Sequence, residues 1–520
     1  MSKFNEPDQA ADCYNPFVKK IVKKSKADLA KATIKIMKSS PMATSVKPIR
    51  RFIDSYLSSV ALSDISELSS ENFFGLMRAH WKLAKKRQPG ETKVNVYNPS
   101  LKQSGWDCEY TVIEVINDDM PFLVDSVFSK LSRLGLDTQL VLHPIFNVMR
   151  SRIGKFEGFS FNTPVTPQAV SESFMHFQVS KQPSEQLVEI RKEIFKVIKD
   201  VSIAVEDWVD MRATLSSAIE KIDIQHHGAC EEDIYEVKDF LKWVHDDHFT
   251  FLGYQDYDFV NKGKKFVITS NKKSSLGIFR TQNYLSEPFI KKQSSKPRIT
   301  GTLTSIPREL ITVNKTDTIS NVHRAVHMDS IGILRHNKQG KVIGQKVFVG
   351  LFTSGAYCRS PHDIPMLRLK LKKIFGRSGF ASSSHDGKAL LNILETYPLD
   401  ELFQASDSHL FETALGILHL KRDQRVALFI RCDDFERFVS CIVYVPKDNF
   451  TTDIRKKIQK VLESSFAGEQ RAYYTQIGDN ALARLHIIIK TKPGNIPRYK
   501  KSHIEADLLD VTCVLLRQGW

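Results

Sequence analysis

Apolar and polar positions fall into blocks of different period along the 520-residue chain. Tyr110–Ile116 is an apolar run broken only by Thr111 and Glu114, which predicts a buried strand. A polar elbow follows, Asn117-Asp118-Asp119, with Pro121 placed for the first turn of a helix. Val124, Val127, Phe128, Leu131 and Leu134 recur at helical spacing, and Gly135 stands where a left-handed helix end belongs. Thr138–Leu142 reads as the next strand and 144–150 continues it; Gly154 and Gly158 mark a turn, and Phe174–Val179 alternates as a further strand. Ser184 then caps a helix carrying Leu187, Ile190, Ile194, Val197 and Val201 on one face. Strand, helix, strand, strand, helix is most of a βαββαβ sandwich, with both helices on one face of an antiparallel sheet.

The same reading divides the rest of the chain. Residues 1–100 predict a helical arm, with stripes at Phe52, Tyr56, Leu57 and Val60 and at Phe73, Phe74, Met77 and Trp81. The sandwich occupies 101–205, and a mixed α/β module follows over 206–395. That module has an amphipathic helix at 235–245, strands near 249–254, 266–269, 310–313 and 346–353, and a helix after Pro365. A second sandwich is expected over 396–495, where a helix from Pro398 precedes strands at 426–431 and 437–445 joined through Cys432–Glu436. Thr452 caps the next helix, and a hairpin turns about Gly478-Asp479-Asn480. In 496–520 a helix begins near Ser502 and reaches the end of the chain with nothing predicted to pack against it. The fold class is α+β.

Composition narrows the function classes. Hydrophobic residues make up 42% and aromatics 10%, enough for packed cores. No apolar run approaches the roughly 18–20 residues that span a bilayer, so no membrane role is expected and a cytoplasmic location is. The seven cysteines are scattered without a CxxC, which predicts reduced thiols. The net charge of +16 is concentrated at Lys19–Lys26 and between Lys262 and Arg298. Neither stretch interleaves a stacking platform, so solvated lysine faces are expected rather than nucleic-acid binding.

Candidate chemistry is sparse. No GxGxxG follows a strand, and Gly376-Arg377-Ser378-Gly379 lacks both the spacing and the strand, so the residues support no dinucleotide site, no catalytic residue and no cofactor in this chain. His323 and His327 could share a helix face beside Asp329, and His245 and His248 bracket Asp246 and Asp247. Surface or capping histidines are the commoner outcome, and no metal is assigned to either group. Cys432 and Cys441 read as small apolar residues.

Several longer segments carry a family resemblance. DDMPFLVDSV (118–127), HFTFLGYQDY (248–257), FTSGAY (352–357), IPMLRLKL (364–371), YPLDELFQ (397–404), LGILHL (415–420) and RFVSCIVYVPKD (437–448) resemble, in order and spacing, the N-terminal part of the large-type NAD-specific glutamate dehydrogenases. The resemblance implies two ferredoxin-like ACT-type sandwiches flanking a PAS-like module, Pro121, Leu123, Asp125 and Gly135 matching the ACT pattern. It further implies a regulatory and oligomerisation segment for an enzyme that converts glutamate to 2-oxoglutarate. NAD would belong to a catalytic domain absent from this chain. The expected partners are that catalytic portion on another chain, or further copies of this one, and an amino-acid effector. The alternatives are a free-standing amino-acid sensor and a non-functional piece of a split gene. Glu436 stands where the family has glycine, Gln255 where it has a basic residue, and the chain stops at RQGW where the family continues.

ACT-type domains bind amino acids where the first strand meets the first helix. That places the candidate ligand site at Asn117, Asp118, Asp119, Met120 and Pro121. Backbone N–H groups would receive the carboxylate and Asp118 or Asp119 the ammonium group. The competing reading makes an aspartate, Asp119 above all, a cap for the helix.

Overall fold

The computed structural model describes residues 26–38, 46–65, 68–160, 169–222, 230–262, 265–281, 300–303, 310–337, 339–423, 425–433, 436–478, 481–492 and 495–517. The leading lysines up to Lys24, residues 263–264 and 282–298 of the basic stretch between Lys262 and Arg298, and the Asp479-Asn480 turn lie outside them. The chain forms two compact units, Met1–Ile198 and Lys199–Trp520.

In the first unit, helices α1 (Lys26–Lys38), α2 (Val46–Ser59), α3 (Leu62–Ile65) and α4 (Ser70–Ala84) precede a sheet. Ser69 caps α4, its Oγ accepting from Asn72 N. The sheet and its helices follow as β1 (Lys93–Tyr97), β2 (Thr111–Asp118), α5 (Leu123–Arg133), β3 (Thr138–Leu142), β4 (Ile145–Arg150), β5 (Phe156–Phe159), β6 (Ala169–Val179) and α6 (Leu187–Glu206). The strands are antiparallel in the order β1-β2-β6-β4-β5, and β3 also pairs with β6. β3 and β4 lie along successive halves of β6, interrupted at His143-Pro144, so together they act as one long strand. Val112 and Ile116 of β2 join a core with Phe52, Tyr56, Phe73 and Trp81 of the preceding helices. Ile113 and Val115 are also fully buried. Because β2 is covered on both faces, it reads as a continuous apolar run. On α5, Val127 and Leu131 are buried as expected, whereas Phe128 and Leu134 are exposed.

The expected 1–100 arm is not helical throughout, since β1 pairs with β2 along its whole length, Lys93 opposite Ile116 and Tyr97 opposite Val112. β1 supplies the fourth strand of the βαββαβ pattern from upstream of the first.

In the second unit, α7 (Trp208–Glu220) and α8 (Glu231–Trp243) lead into β7 (Phe249–Lys262), β8 (Lys265–Gly277), β9 (Thr300–Leu303), β10 (Ile311–Ile319), β11 (His327–His336) and β12 (Val342–Phe352). These form one antiparallel sheet in the order β10-β11-β12-β7-β8-β9. Helices α9 (Ser354–Tyr357), α10 (Leu367–Ser378), α11 (His385–Glu395), α12 (Leu399–Gln404) and α13 (Asp407–Asp423) come next. The unit ends with β13 (Ala427–Cys432), β14 (Phe438–Pro446), α14 (Thr452–Phe466), β15 (Glu469–Gln476), β16 (Leu482–Lys490) and α15 (Lys501–Arg517). The last sheet is antiparallel, in the order β13-β14-β16-β15. Val439, Cys441, Val443, Leu485, Ile487 and Ile489 pack on Ile454, Ile458 and Leu462 of α14 and on Ile504 and Leu508 of α15.

Two expectations are corrected here. α15 is not the start of a separate segment, because Ile504 and Leu508 are buried in that core and Glu505 Oε1 accepts from Leu428 N at 3.0 Å. His323 and His327 do not share a helix: His323 sits in a loop at φ +64° and His327 opens β11.

Candidate functional site

The elbow at the end of β2 holds its residues in different ways. Arg87, fully buried, donates from Nη2 to Asp118 Oδ1 at 2.5 Å and from Nη1 to Glu172 Oε1 at 2.8 Å. Gly90 N donates to Asp118 Oδ2 at 2.7 Å, so both oxygens of Asp118 are engaged. Glu172, the register partner of Asp118, also accepts from Arg150 Nε at 2.5 Å and Nη2 at 2.7 Å. Asn117 Oδ1 accepts from Thr92 Oγ1 at 2.7 Å, and its Nδ2 donates to Asp118 O at 3.0 Å. These bonds lock the connection between α4 and β1 onto the ends of β2 and β6. Satisfied charge of this kind is structural.

Asp119 differs. Its N–H donates to Ser171 O at 2.8 Å. Burial raises its carboxyl pKa above the ordinary value, against the pull of His143. The His143 imidazole is itself lowered by burial, with Asp119 and Asp125 opposing, and its Nε2 lies 2.5 Å from Ser173 Oγ. The helix starts later than Pro121 suggested: α5 opens at Leu123, and its cap position is Phe122 at φ +72° with no side-chain capping bond. The capping role for either aspartate is therefore corrected. The turn through Pro121 and Phe122 carries the chain past both carboxylates before the helix begins.

A second site escaped the sequence reading. In the second unit a cavity of about 590 Å³ is lined from the middle sheet by Lys315, His327 and Asp329, from the β10–β11 loop by Arg324, from α12 by Asp400 and Glu401, and from the last sheet by Phe438, Arg471, Tyr474, Arg484 and His486. Lys315 Nζ lies 2.6 Å from Asp329 Oδ1, 3.2 Å from Asp400 Oδ1 and 3.1 Å from Tyr357 Oη. Burial works against the Lys315 ammonium, but the two carboxylates outweigh it and hold its pKa well above the ordinary value. Burial pushes Asp329 up to about 6 against Lys315. Burial and the neighbouring Arg471 push His327 down to about 3, so its Nδ1 accepts from Arg471 Nη2. Glu401 is held by Arg431 through bonds of 2.6 and 2.8 Å. The cavity residues come from strands, loops and a helix far apart in the chain. The exposed, mixed-polarity strand β15 gave little periodic signal to join them.

The histidines considered as metal ligands have other neighbours. His248 stacks on Trp243 with ring centroids 4.4 Å apart, and Asp247 pairs with Arg212 at 3.1 Å. Among the described residues, no group of three or more His, Cys, Asp or Glu could hold a metal ion. Also among them, no helix is long and apolar enough to cross a membrane.

The sheets and the elbow coincide with known sequence families. Residues 52–194 match the glutamate dehydrogenase ACT1 domain, 364–423 its helical motif 1 and 427–513 its ACT2 domain. Proteins named NAD-specific glutamate dehydrogenase align across most of the chain. The one from Halomonas elongata is 31% identical over 472 residues, covering 90% of this chain. This chain belongs to the large NAD-specific glutamate dehydrogenase family. The family relative from Pseudomonas aeruginosa is 30% identical over 88% of the chain, and that from Mycobacterium tuberculosis 26% over 80%. The chain spans 29% of the Halomonas protein's length and 28% of the Pseudomonas protein's. The two ACT matches fall on the two sheets whose strand orders correspond, and the helical motif falls on α10–α13.

Proposed function

We propose that this chain is the regulatory and assembly part of an NAD-specific glutamate dehydrogenase, acting in the cytoplasm on a catalytic portion that oxidises glutamate to 2-oxoglutarate with NAD. The observation that carries this reading is the collinear match of ACT1, helical motif and ACT2 with the family. The catalytic portion would be carried on a separate chain, and copies of this one would assemble with it. The middle module is read as PAS-like, which the order β8-β7-β12-β11-β10 within its sheet supports. Co-expression with the catalytic portion of a family member tests the proposal. A stable complex whose glutamate-dependent NAD reduction changes on adding this chain is the expected result. Separate elution with unchanged rates would overturn it.

The elbow remains the proposed amino-acid contact, with the work moved to Asp119. Asp118 and Asn117 are committed to Arg87, Gly90 and Thr92. Asp119 would take the ammonium group, and backbone N–H groups of the turn at Met120 and Phe122 the carboxylate. Asp119→Asn is expected to abolish any amino-acid-induced rise in melting temperature that belongs to this site. A rise of undiminished size would remove the elbow from consideration.

A further inference from the structure

The cavity between the middle sheet and the last sheet has an uneven charge account. Its acids have cation partners: Asp329 and Asp400 share Lys315, and Glu401 is forked by Arg431. Arg471 pairs with Asp317 at 3.1 Å. Two lining guanidiniums have no carboxylate partner among the described residues. Arg324 donates from Nη2 to Phe352 O at 2.6 Å, and its buried Nε–H has no hydrogen-bond partner among them. Arg484 donates from Nη1 to Thr396 O at 2.7 Å. A buried N–H left unmet costs stability, and this one belongs to a side chain that also lines the cavity.

We propose that this cavity binds a small organic dicarboxylate, with one carboxylate on Arg324 and the other on Arg484. The planar fork of arginine matches a carboxylate through two parallel bonds. Leu351, Leu399, Ile488 and the rings of Phe438 and Tyr474 give the hydrocarbon body an apolar wall. The volume of about 590 Å³ lies within the usual range for small-ligand sites. The site lies in the second unit, apart from the elbow in the first, and does not depend on the glutamate dehydrogenase reading.

The test is calorimetric titration and thermal unfolding of the full chain with succinate and glutarate at fixed ionic strength. Acetate, inorganic phosphate and L-alanine serve as comparison ligands. Saturable binding of a dicarboxylate is expected, with about a tenfold loss or more in Arg484→Met and in Arg324→Met. Arg484→Lys keeps the charge but not the fork, so it is expected to bind between wild type and Arg484→Met, which covers the case in which a methionine variant does not fold. Equal shifts from acetate or phosphate, preference for alanine, no binding at all, or undiminished binding by the arginine variants would each overturn the proposal.

Discussion

Glu114 illustrates how a single buried group sets pH behaviour. It sits fully buried on β2, accepting from Tyr97 Oη at 3.1 Å and from Asn95 Nδ2 at 3.4 Å. Burial pushes its pKa from 4.5 to about 8, with those two bonds opposing. A carboxyl raised on folding favours the folded state fully below the unfolded value. That contribution is lost as pH climbs from 4.5 toward 8, at about 1.4 kcal/mol per unit of pKa difference. Glu114→Gln is therefore expected to stabilise the chain at pH 8 and to change little at pH 4.5, as thermal melts at both pH values would show. The two elbow aspartates should separate just as cleanly. In Asp118→Asn an amide N–H₂ would face the donors of Arg87 or Gly90, and a loss of about 1–3 kcal/mol in denaturant unfolding is expected. Asp119→Asn, which breaks no comparable bond, should unfold near the parent value. Glu436 holds φ at +55°, a conformation that glycine adopts without strain. Glu436→Gly should gain about 0.5–1 kcal/mol, read as a higher denaturation midpoint at unchanged slope.

At the scale of elements, the sequence was most readable where one period dominated. β2, β12 and β14 stood out because nearly every position is buried, and α14 because Ile454, Ile458 and Leu462 recur on one face. β1 was overlooked because only Val94 of its five residues is fully buried; its register is set by β2 rather than by its own pattern. α15 was misread for a related reason. Its partners are side chains on β13 and α14, and no local signal announces them. Leu508→Ala should cost about 2–5 kcal/mol if the helix is part of that core, whereas an unpacked helix would lose almost nothing. The elbow was visible as an acidic turn, but the different fates of Asp118 and Asp119 depended on Arg87, thirty-one positions before Asp118. Charge pairing across such separations is invisible to periodicity. The dicarboxylate cavity was illegible for the same reason, since the two arginines without a carboxylate partner among the described residues lie in a loop and on a strand of another sheet.

At the scale of the whole molecule, the chain has two compact units with separate cores. Scanning calorimetry is expected to give a calorimetric enthalpy larger than the van't Hoff value, as cores that melt independently do. A ratio of one would mean the units unfold together. Each ACT-like sheet places its fourth strand ahead of the first, as β1 before β2 and β13 before β14. The usual βαββαβ order makes that strand return from the far end of the unit, closing a loop over the whole domain. Here the same pairing is a hairpin; β13 and β14 are separated only by the five residues 433–437. Loop closure is cheaper and local contacts form faster. During synthesis, each sheet can therefore begin with a pair completed within its first few dozen residues, before α5 and α6, or α14 and α15, have been made.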